Sequence, residues 1–300
     1  MEVWPRTILL ATDGSEDAAL AARAASNLAE KTGAELHVVH VVRYLPPHAY
    51  ADARPKGYEE LYHKQVKELL DEQVRLVEAE GGKDAKVHFR VGSPVAEILR
   101  LAQELAVDLI VVGSRGLGRW KRLTLGSVSE GVVYHAPCPV LVLRGGNEVW
   151  PPSRIVVGED SSDDAQRAGE LAASIGTIFG ANVVLVRAYV EFPEISEEVR
   201  VSEGILTLED ALRYQERELE ERASALEREV GVPPQVRLSE GYAAAVIAAI
   251  VEEGGEPTLT VVGRRGLGTL DRLILGSVSS KVMRVVKGPV LLAPRKRGSC

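Results

Sequence analysis

Short apolar runs alternate with longer segments of helical period along all 300 residues of this chain. The first half opens with a continuous apolar run at 6–12, which predicts a strand covered on both faces. Asp13-Gly14-Ser15 breaks the run, and Ser15 is placed to cap an Ala-rich helix over 16–31 that Gly33 ends. A second strand is predicted at 36–42. A polar, Pro-containing stretch over 43–57 follows, and then a long helix over about 58–80, with Leu61, Val66, Leu70, Val74 and Val77 along one face. The half closes with a strand at 87–91, a helix at 95–105, a strand at 109–112, a glycine loop, a helix at 127–135 and a fifth strand at 140–143.

The order then repeats. Strands are predicted at 155–157, 183–189, 235–238, 259–262 and 290–292, and a long helix over about 208–230 carries Leu212, Leu219, Ala223, Leu226 and Val230 on one face. That stripe spans too few heptads for a coiled-coil seam and is read as the face that covers a sheet. The repetition reaches the residues themselves. Glu2-Val3-Trp4-Pro5 recurs as Glu148-Val149-Trp150-Pro151, and Pro139-Val140-Leu141-Val142 as Pro289-Val290-Leu291-Leu292. The expected architecture is α/β: two tandem Rossmann-like domains, 1–146 and 147–300, each a five-stranded parallel sheet with helices on both faces. Each domain has the size of an ordinary independent core. A Gly- and Pro-rich linker is placed at about 144–153 and a basic tail at 294–300. In such sheets ligands sit at the carboxyl ends of the strands, where the strand order reverses. Asp13 and Gly113 end two strands that face that crevice.

The densest repetition lies in one loop. Residues 113–130 and 263–280 are identical at 12 of 18 positions, and both read Gly-x2-Gly-x9-Gly-Ser. A strand precedes each loop and a helix follows it. Those are the parts that hold phosphates by backbone N–H groups at a helix start. Gly113 and Gly116 let the backbone approach a ligand, and Gly126 and Ser127 open the following helix. The alternative is a pair of inherited structural turns. Arg115 recurs as Arg265 and Arg122 as Arg272, which reads either as neutralisation of a polyphosphate or as a solvated loop. Arg119 and Lys121 make the first loop more basic than the second, which has Thr269 and Asp271 there.

Composition narrows the classes. A formal net charge of −7 with 26% charged residues argues against nucleic acid as a partner. No apolar run reaches the roughly 18 residues of a membrane span, and no signal-peptide layout opens the chain, so a cytoplasmic location is expected. Cys138 and Cys300 form no disulfide framework, and Cys138, set between Pro137 and Pro139, reads as a small buried filler. All six histidines fall in the first half without ligand spacing, so a chemistry shared by both halves requires none of them. No Walker A sequence, nucleophile elbow or Ser/His/Asp arrangement is present, and no catalytic residue is assigned.

The Gly-x2-Gly-x9-Gly-Ser loop resembles the nucleotide-binding signature of the universal stress protein family. The likeness extends to Asp13-Gly14-Ser15, Gly92-Ser93-Pro94, the run Asp108 to Gly113, and Ala136-Pro137-Cys138-Pro139-Val140, and covers nearly the whole chain twice. It implies a tandem member of the ATP-binding branch. By that resemblance adenine is held at the main chain near Val41 and Ala188, and Asp13 and Asp160 lie near the nucleoside and metal-bound phosphates. Gly113, Ser114 and Gly116 line the ribose and phosphates in the first half, and Gly263, Arg264 and Gly266 in the second. Gly126, Ser127 and Val128, with Gly276, Ser277 and Val278, cradle the phosphate chain. Mg2+ or Mn2+ accompanies ATP, with no metal ligands of the protein's own beyond Asp13 nearby.

The second half departs from the pattern at Ser161, which replaces Gly14, and at Arg264, which replaces Ser114. That arginine is suited either to bidentate phosphate pairing or to filling the ribose site. The resemblance further implies a stress-response regulator that changes a partner surface when ATP is bound, and edge pairing through the fifth strands that supports a homodimer or an internal pseudo-dimer. Two other readings stay open at this point: slow ATP hydrolysis or nucleotidyl transfer in the same cleft, and a nucleotide-free scaffold for a protein partner.

Overall fold

In a computed structural model the described residues are 4–42, 84–116, 125–146, 149–190, 208–231, 233–266 and 275–294, with scattered helical positions between 64 and 79. The chain divides into two compact units, Met1–Pro151 and Pro152–Cys300. The polar stretch predicted at 43–57, most of the helix predicted at 58–80, and the basic tail from 295 onward lie outside the described residues.

The first unit runs β1 (Thr7–Ala11), α1 (Glu16–Thr32), β2 (Glu35–Val42), β3 (Lys86–Val91), α2 (Pro94–Glu104), β4 (Leu109–Gly113), α3 (Ser127–His135) and β5 (Val140–Leu143). Its strands lie in the order β3-β2-β1-β4-β5, and every pairing is parallel. The second unit repeats this with β6 (Arg154–Gly158), α4 (Asp163–Phe179), β7 (Asn182–Tyr189), α5 (Leu208–Val230), β8 (Gln235–Glu240), α6 (Ala243–Gly254), β9 (Thr258–Gly263), α7 (Ser277–Val285) and β10 (Val290–Ala293). Its order is β8-β7-β6-β9-β10, again parallel. The sheet order reverses at β1 and at β6. The carboxyl ends of β1 and β4, and of β6 and β9, therefore border one crevice in each unit.

Local chemistry fixes the element ends. The Ser15 hydroxyl accepts the Ala18 N–H at 3.3 Å, and Ser162 accepts that of Ala165 at 3.1 Å, so both opening helices begin on a capped turn. Gly33 and Gly180 end the same helices in the left-handed region, at φ 73° and 68°. The buried face of α1 is mostly alanine (Ala18, Ala21, Ala22, Ala24, Ala25) with Leu20 and Leu28, and short side chains let the helix lie close on the sheet. Strands β4, β5, β9 and β10 are buried at every residue, in keeping with their continuous apolar runs. The observed α5 has the predicted bounds. Strand β8 runs two residues past its predicted end because Ser239 and Glu240 still pair with Ala188 and Tyr189. Cys138 is buried. Among the described residues no helix is long and apolar enough to cross a membrane.

His37 and His40 take different partners. His40 Nδ1 donates to the Thr12 carbonyl at 2.8 Å, at the mouth of the sheet. His37 Nδ1 sits 2.8 Å from His88 Nε2 on the neighbouring strand, with the rings stacked, and its Nε2 faces the Glu35 carboxylate at 3.0 Å. One nitrogen of the close pair must lack a proton. Burial is the main cause that pulls both imidazoles below the ordinary value of 6.5; Glu35 pulls His37 partly back up, and His37 itself pushes His88 further down. Because the folded pKa values are lowered, the unfolded chain takes up protons first as pH falls. Stability is therefore lost from about pH 6.5 downward. His88→Gln should flatten the fall of the first unit's unfolding midpoint between pH 7.5 and 5.5, values that bracket the histidine range. An unchanged slope in chemical denaturation across that range would refute the assignment.

Candidate functional site

Each crevice is a cavity built by the same elements. The first encloses about 490 Å³. Ala11, Thr12 and Asp13 form its edge at the end of β1, Val39 and Val41 come from β2, and Pro94 and Ile98 from α2. Val112 and Gly113 end β4 beneath it, Arg115 and Gly116 start the loop, and residues 125–129 return at the head of α3. The wall is apolar on the β2 and α2 side and carries backbone amides on the α3 side. The second cavity encloses about 880 Å³ and is bordered in the same way by β6, β7, α6, β9 and α7.

The glycines of the loop are there for clearance. A Cβ on Gly113 would stand 2.6 Å from the Asp17 carbonyl carbon, and one on Gly263 would stand 2.9 Å from the Ala165 nitrogen. A Cβ on Gly116 would collide with the Asp13 carboxylate, and one on Gly266 with that of Asp160. The loop ends are tied together by the backbone: the Gly126 N–H donates to the Ser114 carbonyl at 2.8 Å, and that of Gly276 to Arg264 at 2.8 Å. This bond sets the first turn of α3, or α7, at the end of the sheet. Gly126 and Gly276 are the N-caps, and neither cap carries a side-chain hydrogen bond. The first amides of each helix consequently have no intrahelical partner and face the crevice with the positive end of the helix dipole.

A set of side chains locks this geometry from behind. The Ser129 hydroxyl donates to the Gly113 carbonyl, and Ser279 to Gly263, each at 2.6 Å. Asp17, in the first turn of α1, accepts from the Ser114 hydroxyl at 2.6 Å and from Arg115 Nε at 3.2 Å. Asp164, its counterpart in α4, accepts the Arg265 N–H at 3.0 Å and lies 3.5 Å from Arg265 Nε. Behind Asp17 lies Arg144, just past β5. Burial drives its guanidinium down to about 10 while Asp17 raises it, so it remains a cation at neutral pH.

The expected site residues mostly converge. Asp13, Val41, Gly113, Arg115 and Gly116 line the first cavity, together with Gly126, Ser127 and Val128. Asp160, Ala188, Gly263, Arg265 and Gly266 line the second, together with Gly276, Ser277 and Val278. Two of the expected residues lie off the walls. Ser114 is 4% exposed and turned onto Asp17, away from the wall, because the buried carboxylate needs a donor. Arg264 is not among the wall residues either; its N–H is held by the Ala293 carbonyl at 2.7 Å. Arg115 and Arg265 are each paired with a helix aspartate; the Arg115 side chain stays 47% exposed, and that of Arg265 17%. Arg119, Lys121 and Arg122, with Thr269, Asp271 and Arg272, lie outside the described residues.

Sequence reasoning missed Asp17 and Asp164, Ser129 and Ser279, and the α2 and α6 wall at Ile98 and Ile247. The signal was available, because each pair recurs at the spacing of the duplication. It also missed a buried charge cluster particular to the second unit. Glu159 stands where the first unit has Thr12, and its side chain is 2% exposed. Its Oε1 accepts the Ser161 N–H at 2.7 Å; Arg222 Nε and Arg187 Nη2 lie 3.7 and 3.9 Å from the carboxylate. Burial pushes this carboxyl up, and the Ser161 N–H and the two arginines pull it partly back.

Comparison with known proteins agrees with the duplication. The Universal stress protein family model matches residues 5–144 and again 152–294. A universal stress protein of Mycobacterium tuberculosis is 27% identical over 303 residues, spanning 95% of this chain and 96% of that protein. A putative universal stress protein of Staphylococcus aureus is 36% identical over 148 residues, 46% of this chain and 84% of its own. The crystal structure of a universal stress protein from Archaeoglobus fulgidus superposes with a TM-score of 0.69 at 26% identity, covering 97% of this chain and 99% of that one.

Clearance at the strand ends gives a direct test. Gly113→Ala and Gly263→Ala should each lower stability by about 1–3 kcal/mol, since the obstacle is backbone that cannot swing aside. Gly146→Ala, where nothing lies within 4 Å of the added methyl, should be neutral. Urea unfolding midpoints compare the three, and equal midpoints would contradict the packing described.

Proposed function

For a chain that belongs to the universal stress protein family and carries its loop twice, we propose that each cleft binds a nucleotide, ATP in the first of them, and that the protein acts as a nucleotide-dependent regulator of a partner surface in the cytoplasm. The observation that carries this reading is the pairing of Gly116 with Asp13 and of Gly266 with Asp160. In both units the missing methyl group lets an aspartate carboxylate close directly onto bare backbone, beside the amides that open a helix. A carboxylate and free backbone amides held at one point suit the phosphates of a nucleotide and the cation they carry.

The wall sorts a nucleotide by its parts. The apolar β2 and α2 side, with Val39, Val41, Pro94 and Ile98, suits a purine face, and the main chain at Val41 is available to its edge. The Gly126-Ser127 turn and Arg115 suit the phosphates. Asp13 is the carboxylate on the first wall among the described residues, well placed for a divalent ion carried in by the triphosphate. Among the described residues no cluster of three or more His, Cys, Asp or Glu offers a metal cage, so Mg2+ or Mn2+ would be held chiefly by the nucleotide. Binding at a micromolar Kd supplies about −8 kcal/mol, enough to bias two arrangements of a partner surface.

Addition of ATP with Mg2+ should raise the thermal unfolding midpoint of the full chain, and chelation of the metal should reduce the gain. Gly116→Val combined with Gly266→Val should abolish the shift, because each valine would occupy the space beside its aspartate. Mass spectrometry of gently purified, denatured protein should detect released nucleotide. No shift together with no nucleotide would overturn the proposal.

A further inference from the structure

The two clefts are not copies. Wall positions of the first find counterparts in the second, and three of them shrink: Ala11 to Gly158, Val41 to Ala188 and Pro94 to Ala243. The second wall then continues onto four polar side chains, Ser161, Arg187, Gln215 and Glu218, and the cavity grows from about 490 to about 880 Å³. This extension lies on the β7 side of β6. The phosphate-suited turn at Gly276-Ser277 lies on the other, beyond β9. The enlargement is therefore at the end suited to the base.

The added groups form an ordered set. Arg187, whose side chain is 9% exposed, donates Nη1 to Glu218 at 3.0 Å and Nη2 to the Ser161 hydroxyl at 2.6 Å. Its Nε is buried with no hydrogen-bond acceptor among the described residues. Buried donors of this kind are almost always satisfied, so an acceptor belongs nearby. Glu218 accepts Arg187 on one oxygen and the Tyr214 hydroxyl on the other, which leaves a lone pair on each. A donor thus stands beside a carboxylate able to take two parallel N–H groups.

Resting on the nucleotide reading of these clefts, we propose that the second cleft selects a guanine nucleotide while the first takes the adenine nucleotide. Guanine presents an acceptor, O6, next to two adjacent donors, N1–H and the 2-amino group. Glu218 accepts the two donors, and Arg187 with Gln215 supplies donors to O6 and N7. Adenine offers one donor group on that edge and leaves the carboxylate half used. A site built to hydrogen-bond a group discriminates strongly against the analogue that lacks it. Among the described residues the first wall has Val39, Val41, Pro94 and Ile98 around the base.

Equilibrium dialysis of the full chain with labelled ATP and GTP, in Mg2+, tests this. With both nucleotides present in equal, saturating amounts, the unmodified protein should retain about one GTP per chain. Gly116→Val, which leaves the second cleft, should bind GTP at least about tenfold more tightly than ATP, and adding Glu218→Ala should erase that preference. The inference is overturned if the second cleft holds ATP as tightly as GTP, or if Glu218→Ala leaves the preference intact. ATP bound at one site with no GTP anywhere overturns it while sparing the adenine reading of the first cleft. Absence of both nucleotides removes both proposals. Competition on the unmodified chain decides the matter even if Gly116→Val does not fold.

Discussion

One backbone hydrogen bond in each unit sets everything at the mouth of the sheet: Gly126 N–H to the Ser114 carbonyl, and Gly276 N–H to the Arg264 carbonyl. It closes a long loop on itself and returns the chain to the strand it left. Without it the head of α3 would have no fixed relation to the end of β4, and the unpaired helix amides would point into solvent. Closing a loop of this length carries an entropic cost that a single bond does not meet. The Ser129 and Asp17 contacts behind the loop, with Ser279 and Asp164 in the second unit, supply the rest. The crevice is held open from its buried side, so its wall is free to present backbone and glycine.

The two units solve the same problem with different interiors. In the first, the end of β1 is fixed by His40 donating to the Thr12 carbonyl, a compact contact. In the second, Glu159, Arg187, Arg222 and Glu218 replace it with charge. Buried charge is costly and is retained only where it is well paired or has work to do. Glu159 and Arg187 stand apart at 3.9 Å, beyond hydrogen-bond length, so the cluster is not an optimised ion pair. A duplicated fold has kept its loop chemistry and changed the chemistry at the end of its first strand.

Strand and helix identities, the duplication, and the caps at Ser15, Gly33 and Gly126 were legible without coordinates. They depend on local periodicity and on residue types that few backbone conformations accept. Most of the wall was legible too, because the glycine loop carries its spacing in sequence. The turn of the Ser114 hydroxyl onto Asp17 was not legible, because Asp17 lies far away in the chain.

The sequence by itself determined two α/β units, their parallel strands and the twin loops, because alternating periods and repeated glycines are properties of neighbouring residues. Only the tertiary structure decided that Asp17 would clamp a loop 97 positions away, and that Glu159, Arg187 and Glu218 would meet at one end of a cleft. The reason is the strand order. Placing β1 between β2 and β4, and β6 between β7 and β9, brings residues from distant segments to one edge, and no period along the chain encodes that adjacency.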